Sequence, residues 1–318
     1  MNFQISRVAF IDKVHAVLQQ KLEQHGVTCL DFTSFSRNEV ESNIHNVDGI
    51  VIRSKFKVNE ALLKNAHQLK FIARSGSGME NIDLHAAKKR GIALFNSPEG
   101  NRTAVSEHAL GMLLALFHKL ILADGSVRNG AWKREAHRGI ELTGRTIGII
   151  GFGNTGSEFA KRLRGFEVDI LAYDKYKTRY GNDDVKESTW EEIEHHADII
   201  SLHVPLTDET KYLINKERIH RFRKPVVIIN TSRGNILNTK DLLDGLKHGK
   251  IWGACLDVLE YEKASFSLAS NDSKDFSELT KLPNVVFSPH VAGWTHESYY
   301  KLSDVLYQKI ARRFFGKS

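Results

Sequence analysis

Gly151, Gly153 and Gly156 stand in G-x-G-x-x-G spacing directly after an apolar, β-branched run, Arg145 to Ile150. That spacing suits a pyrophosphate. The first glycine makes a tight turn, the second lets the backbone approach the ligand, and the third lets a helix sit close to a strand. The phosphates would rest at a helix N-terminus, where unpaired N–H groups and the macrodipole favour an anion. Asp174 follows at close to the spacing, about 20 residues, at which a carboxylate accepts hydrogen bonds from the adenosine ribose. Its charge opposes a 2′-phosphate, so the expected cofactor is NAD.

These residues need a strand, turn, helix and second strand to hold them. Arg145 to Ile150 is short enough for a buried strand. Ser157 to Arg164 places Phe159, Ala160 and Leu163 on one helical face, and Glu167 to Tyr173 reads as the next strand. Before this unit, strands are predicted at 8–11, 27–30, 49–53, 70–74 and 92–95, with helices at 15–24, 59–65 and 84–89. After it, strands are predicted at 198–203, 226–230, 251–256 and 285–288. A long apolar helix over 103–122, a polar, basic segment over 125–139 and an amphipathic helix over 295–315 complete the pattern. The alternation is that of parallel sheets covered on both faces. The fold class is α/β, with two doubly wound domains. A Rossmann NAD-binding domain, 99–292, is inserted into a flavodoxin-like substrate-binding domain, 1–98 plus 293–318.

The chain has 318 residues, 41% of them hydrophobic, and carries a net charge of +7. The basic residues are scattered, without a zinc-finger, basic-zipper or RNP-like motif, so anionic small ligands explain the charge better than nucleic acid does. No run of 18 or more apolar residues marks a membrane span, and the N-terminus lacks signal-peptide architecture. The two cysteines, Cys29 and Cys255, sit in strand patterns with no C-x-x-C partner. A cytoplasmic protein with reduced thiols is expected. His195, His196 and His203 lack ligand spacing, so no metal is expected.

Further motifs resemble the D-isomer-specific 2-hydroxyacid dehydrogenase family over essentially the whole length, most closely its phosphoglycerate-oxidising members. Phe71 to Asp83 is similar to the family's substrate loop, and Asn96-Ser97-Pro98, Asn101 and Val105 to His108 to its interdomain segment. His203 to Thr207, Asn230 to Gly234, Asp257 to Glu262 and Ser288 to Gly293 resemble four more motifs in the family's order. The resemblance implies that His290 is the acid/base, that Glu262 orients the imidazole and stabilises its charged form, and that Arg233 holds the substrate carboxylate. It implies NAD contacts from Asn154, Thr155, His203, Val204, Pro205, Thr231 and Gly293, with Asp257 a carboxylate near the nicotinamide. Arg53, Ser54, Arg74, Ser75, Gly76, Asn101 and Arg134 would contact the anionic substrate, with Gly76 to Gly78 offering backbone N–H groups. The leading expectation is 3-phosphoglycerate and 3-phosphohydroxypyruvate. A glyoxylate, hydroxypyruvate or D-lactate reductase, and an NAD-binding corepressor-like scaffold, are the alternatives. A homodimer built on the nucleotide domains is implied, with Arg134 reaching a neighbouring site. The serine-rich stretch 264–281 is expected to form a flap. Since the sequence ends soon after His290, feedback by serine through an added C-terminal domain is not expected.

Overall fold

The computed structural model describes residues 5–262 and 274–316. It divides into two compact units, Met1–Asn101 with Trp294–Ser318, and Arg102–Gly293.

The first unit is built on β1 (Arg7–Phe10), β2 (Thr28–Asp31), β3 (Gly49–Ile52), β4 (Phe71–Arg74) and β5 (Ala93–Asn96), all parallel in the order β2-β1-β3-β4-β5. β3 is buried at every position, as a central strand covered on both faces must be. One face packs against a cluster that includes Val40, Ile44, Leu62, Leu63 and Ala87, and the other against one that includes Leu18, Leu22, Leu306 and Ile310. The C-terminal helix His296–Phe314 thus closes the first sheet. The helix Arg37–Asn43 was not predicted, although Ser36 and Glu39 form a capping box at its start.

The second unit begins its sheet with β6 (Thr146–Ile150) and continues through β7 (Asp169–Tyr173), the short β8 (Lys186–Glu187), β9 (Ile199–Leu202), β10 (Val226–Asn230), β11 (Ile251–Leu256) and β12 (Val285–Phe287). The order β12-β11-β10-β9-β6-β7-β8 is that of a Rossmann sheet with one further strand. The predicted helix over 103–122 is instead two. Pro98–Phe117 starts earlier, because proline suits a first helical turn. It stops where the Ile140 N–H takes the Phe117 carbonyl and Lys119 turns left-handed at φ 49°. Leu120–Arg128 then begins, reaching into the stretch read as a polar, basic segment. Of the expected flap, 264–273 lies outside the described residues, while Lys274–Leu279 is a helix. Among the described residues no single helix is long and apolar enough to cross a membrane.

Candidate active site

The glycine turn leaves β6 at its C-terminal end, at the point where β7 lies on one side of β6 and β9 on the other. Crevices of this kind are where open α/β sheets bind ligands. Gly151 has φ +92°, and a Cβ there would meet the His203 carbonyl oxygen at 2.5 Å. A Cβ on Gly156 would lie 2.0 Å from the Gly151 carbonyl oxygen, whereas one on Gly153 meets nothing within 4 Å. Two glycines are therefore demanded by packing, and the third is not. The helix starts at Asn154, earlier than predicted, and no side chain caps it. Asn154 and Thr155 form its half-buried first turn.

Asp174, directly after β7, ties this turn to its own loop. Its carboxylate accepts from the N–H groups of Phe152 at 2.8 Å, Tyr176 at 2.9 Å and Lys177 at 3.1 Å. His203 follows β9, is buried and shares a 2.9 Å hydrogen bond between Nε2 and Ser201 Oγ. Burial pushes its pKa down to about 3, so the ring stays neutral near pH 7. Its Nδ1 and the Thr231 hydroxyl, after β10, are buried without a hydrogen-bond partner among the described residues. Buried polar atoms normally find partners. An open glycine, an acid directly after β7 and two orphaned polar atoms on neighbouring strand ends fit a bound dinucleotide. Val204 is half-buried and Pro205 exposed beside them.

The loops after β10, β11 and β12 carry Arg233, Glu262 and His290, the residues expected to act on the substrate. Gly234 packs so tightly on the β11 loop that a Cβ would lie 2.0 Å from the Leu259 carbonyl carbon. Arg233, immediately before it, is half-buried, and its Nη1 donates to its own Ser232 carbonyl at 2.6 Å. Glu262 Oε1 meets His290 Nδ1 at 2.5 Å, with both side chains largely buried. His290 adopts φ +55°, a left-handed conformation costing a non-glycine residue on the order of 1 kcal/mol. Hydrogen bonds hold it there. Its N–H donates to the Asp257 carbonyl at 2.8 Å, and the Asp257 carboxylate accepts from the N–H groups of Val291 at 2.9 Å and Ala292 at 3.0 Å.

Asp257, expected beside the nicotinamide, thus spends both carboxylate oxygens on the turn that presents His290. Ser288 Oγ donates to it at 2.6 Å and lies 2.8 Å from His108 Nε2. Since that hydroxyl proton goes to Asp257, the His108 ring nitrogen is the donor in the second bond. Sequence reasoning gave no role to His108 or Ser288. Both stand inside quoted motifs, but their contact is made across a separation of 180 positions. Gly293 is half-exposed at the end of this turn.

In the first unit, Arg53 and Ser54 follow β3, Arg74 ends β4, and Ser75 and Gly76 follow it. The N–H groups of Arg53 and Ser54 both donate to Asp12 Oδ2, at 2.6 and 3.0 Å. The Gly76 N–H donates to Ser97 Oγ at 3.2 Å, so the amide expected to meet a carboxylate already has an acceptor. The Arg74 guanidinium folds over Gly76, where a Cβ would lie 1.7 Å from Nη1. Ser75 is buried, its N–H donating to the Ile52 carbonyl at 2.9 Å. Asn101 Oδ1 accepts from Ser77 Oγ at 2.8 Å. Arg134 belongs to the second unit and is exposed at the head of the turn Glu135–His137.

This fold and these strand ends define an α/β protein with a Rossmann dinucleotide site. The chain belongs to the D-isomer-specific 2-hydroxyacid dehydrogenase family: residues 110–292 match the family model described as D-isomer specific 2-hydroxyacid dehydrogenase, NAD binding domain. Its cofactor is NAD. The chain is 38% identical over 286 residues to the D-3-phosphoglycerate dehydrogenase of Archaeoglobus fulgidus, a match covering 89% of this chain and 53% of that protein. It therefore spans about half the length of that relative. It is 36% identical over 283 residues to the hydroxypyruvate reductase of Thermotoga maritima, covering 88% of this chain and 90% of that protein. The structure of D-lactate dehydrogenase from Aquifex aeolicus complexed with NAD and lactic acid is similar at a TM-score of 0.82 and 28% identity, covering 98% of this chain and 96% of that one.

Proposed function

We propose that the chain interconverts a D-2-hydroxy acid and its 2-oxo acid, with 3-phosphoglycerate and 3-phosphohydroxypyruvate as the pair. The observation that carries the reading is the 2.5 Å contact between Glu262 and His290 on a turn braced by Asp257. When bound, NAD supplies the hydride acceptor or donor for the substrate's second carbon. His290 holds Nδ1 against Glu262 and exchanges the hydroxyl proton at Nε2; the Glu262 charge stabilises the imidazolium when the proton arrives. Arg233 grips the substrate carboxylate through its planar fork of donors. His203 and Thr231, with Asn154, Thr155 and the glycine turn, hold the dinucleotide. Arg53, Arg74 and Arg134, aided by Ser54, Ser75 and Asn101, are the proposed contacts for substrate anions.

A reductase of hydroxypyruvate or glyoxylate is the second reading, favoured by the near full-length match to the Thermotoga protein. The deciding assay compares kcat/KM across D- and L-2-hydroxy acids and their 2-oxo partners, with and without a phosphate. Preference for phosphohydroxypyruvate supports the first reading, and preference for hydroxypyruvate or glyoxylate overturns it in favour of the second.

A cytoplasmic homodimer is part of the same proposal. The helix Leu120–Arg128 has no buried residue, and Leu120, Ile121, Leu122 and Val127 stand 41–57% exposed, with Trp132 beyond them at 80%. A row of large apolar side chains in one short stretch is the kind of surface a second copy would cover.

A further inference from the structure

We propose that Trp294 is a positioning residue for Arg53, fixing its guanidinium for the second anionic group of the substrate. The proposal rests on the phosphorylated-substrate reading above. Arg53 leaves β3 at the crevice between β1 and β3, the point in the first sheet where the strand order reverses. Its backbone is pinned: the N–H donates to Asp12 Oδ2 at 2.6 Å, and the carbonyl accepts from Asn81 Nδ2 at 3.2 Å. Its guanidinium carbon lies 4.3 Å from the centroid of the Trp294 ring, well inside cation–π range.

Among the described residues two other arginines lie over aromatic rings, and their charges are already spent. Arg218 lies over Trp190 and pairs with Glu194 at 2.7 Å. Arg37 lies over Phe56 and pairs with Glu41 at 2.8 Å. Arg53 has no ion-pair partner among the described residues. Stacking uses the face of a guanidinium and leaves its N–H edge to meet an oxyanion. A cation with a fixed plane and no internal counter-charge is what recognition of a phosphate requires.

The indole is itself held, although it is 50% exposed. It meets Tyr299 edge-on at 5.5 Å, and Tyr299 meets His15, beyond β1, edge-on at 5.6 Å. Trp294 also stands four residues after His290 in the chain. One short segment thus carries both the proton-transferring ring and the ring that sets Arg53.

The test measures kcat and KM for phosphohydroxypyruvate and hydroxypyruvate in the wild type, Trp294→Ala, Trp294→Phe, Arg53→Ala and the double variant Trp294→Ala/Arg53→Ala. Trp294→Leu replaces the alanine variant if that one fails to fold. Loss of the ring should raise KM for the phosphorylated substrate about five-fold and leave kcat and the hydroxypyruvate constants in place. Phenylalanine should restore most of the loss, and the double variant should match Arg53→Ala alone. Independent, multiplying losses, or equal losses on both substrates, would overturn the positioning role. If Arg53→Ala is selective and Trp294→Ala is silent, only the role of Trp294 falls. If Arg53→Ala treats both substrates alike, the phosphorylated-substrate reading falls and takes the proposal with it.

Discussion

The two parallel sheets treat the same topological position in opposite ways. In the second unit the turn after β6 is glycine-rich and open at Gly153, with the orphaned His203 Nδ1 and Thr231 hydroxyl on neighbouring strand ends. In the first unit the loop after β1 places Asp12 in the equivalent crevice. Its Oδ2 accepts from the N–H groups of Arg53 at 2.6 Å, Ser54 at 3.0 Å and Lys55 at 3.2 Å. One crevice ends in a glycine turn with open space at Gly153, although its Phe152 N–H is taken by Asp174; the other is filled by the chain's own carboxylate. The proposed recognition in the first unit therefore draws on side chains such as Arg53, since the amides of Arg53, Ser54 and Lys55 are already bonded.

Replacing Asp12 should break the filled side of this comparison. Asp12→Ala leaves three amides without their acceptor and should cost about 2 kcal/mol of stability in a urea titration, while NADH affinity stays near the wild-type value. A loss of NADH affinity without a loss of stability would show that the carboxylate does not serve as an internal plug.

On the open side, Gly153→Ala adds a methyl group where no protein atom lies within 4 Å. Stability should hold within about 0.5 kcal/mol, yet NADH binding should weaken about tenfold because the pyrophosphate can no longer approach. Gly156→Ala should do the reverse and damage the fold, as its Cβ would collide with the Gly151 carbonyl. Equal NADH affinity in Gly153→Ala and wild type would remove the pyrophosphate from that turn.

A further effect depends on pH and concerns His203. Its pKa falls from 6.5 to about 3 through burial, so the unfolded chain takes the proton first and stability declines as pH drops through that interval. The slope should approach about 1 kcal/mol per pH unit, and His203→Gln should flatten it in a series of thermal melts. An unchanged slope in that variant would place the acid sensitivity elsewhere.

Local rules made much of this legible. β10 and β11 have the boundaries that their apolar runs predict, since a buried parallel strand needs continuous Val, Ile and Leu. The glycine turn was readable because its spacing is local, and Gly151 and Gly156 each answer to a nearby backbone constraint. The helix Arg37–Asn43 was also written locally, in Ser36 and Glu39, but its few apolar residues gave no period to notice. What could not be read depends on distant partners. Nothing near Phe117 announces that the Ile140 N–H will end its helix, and nothing near Asp12 announces that it will meet the loop after β3. The bonds of Asp257 to Ser288, Val291 and Ala292 likewise exist only once β11 and β12 lie side by side.

The central claim is that His290, held by Glu262, moves the substrate proton while the glycine turn independently holds NAD. Turnover and NADH affinity measured together on His290→Ala test it most directly. The account predicts a fall in kcat of about 10³-fold with NADH affinity within about two-fold of the wild type. Turnover within tenfold of the wild type would contradict it.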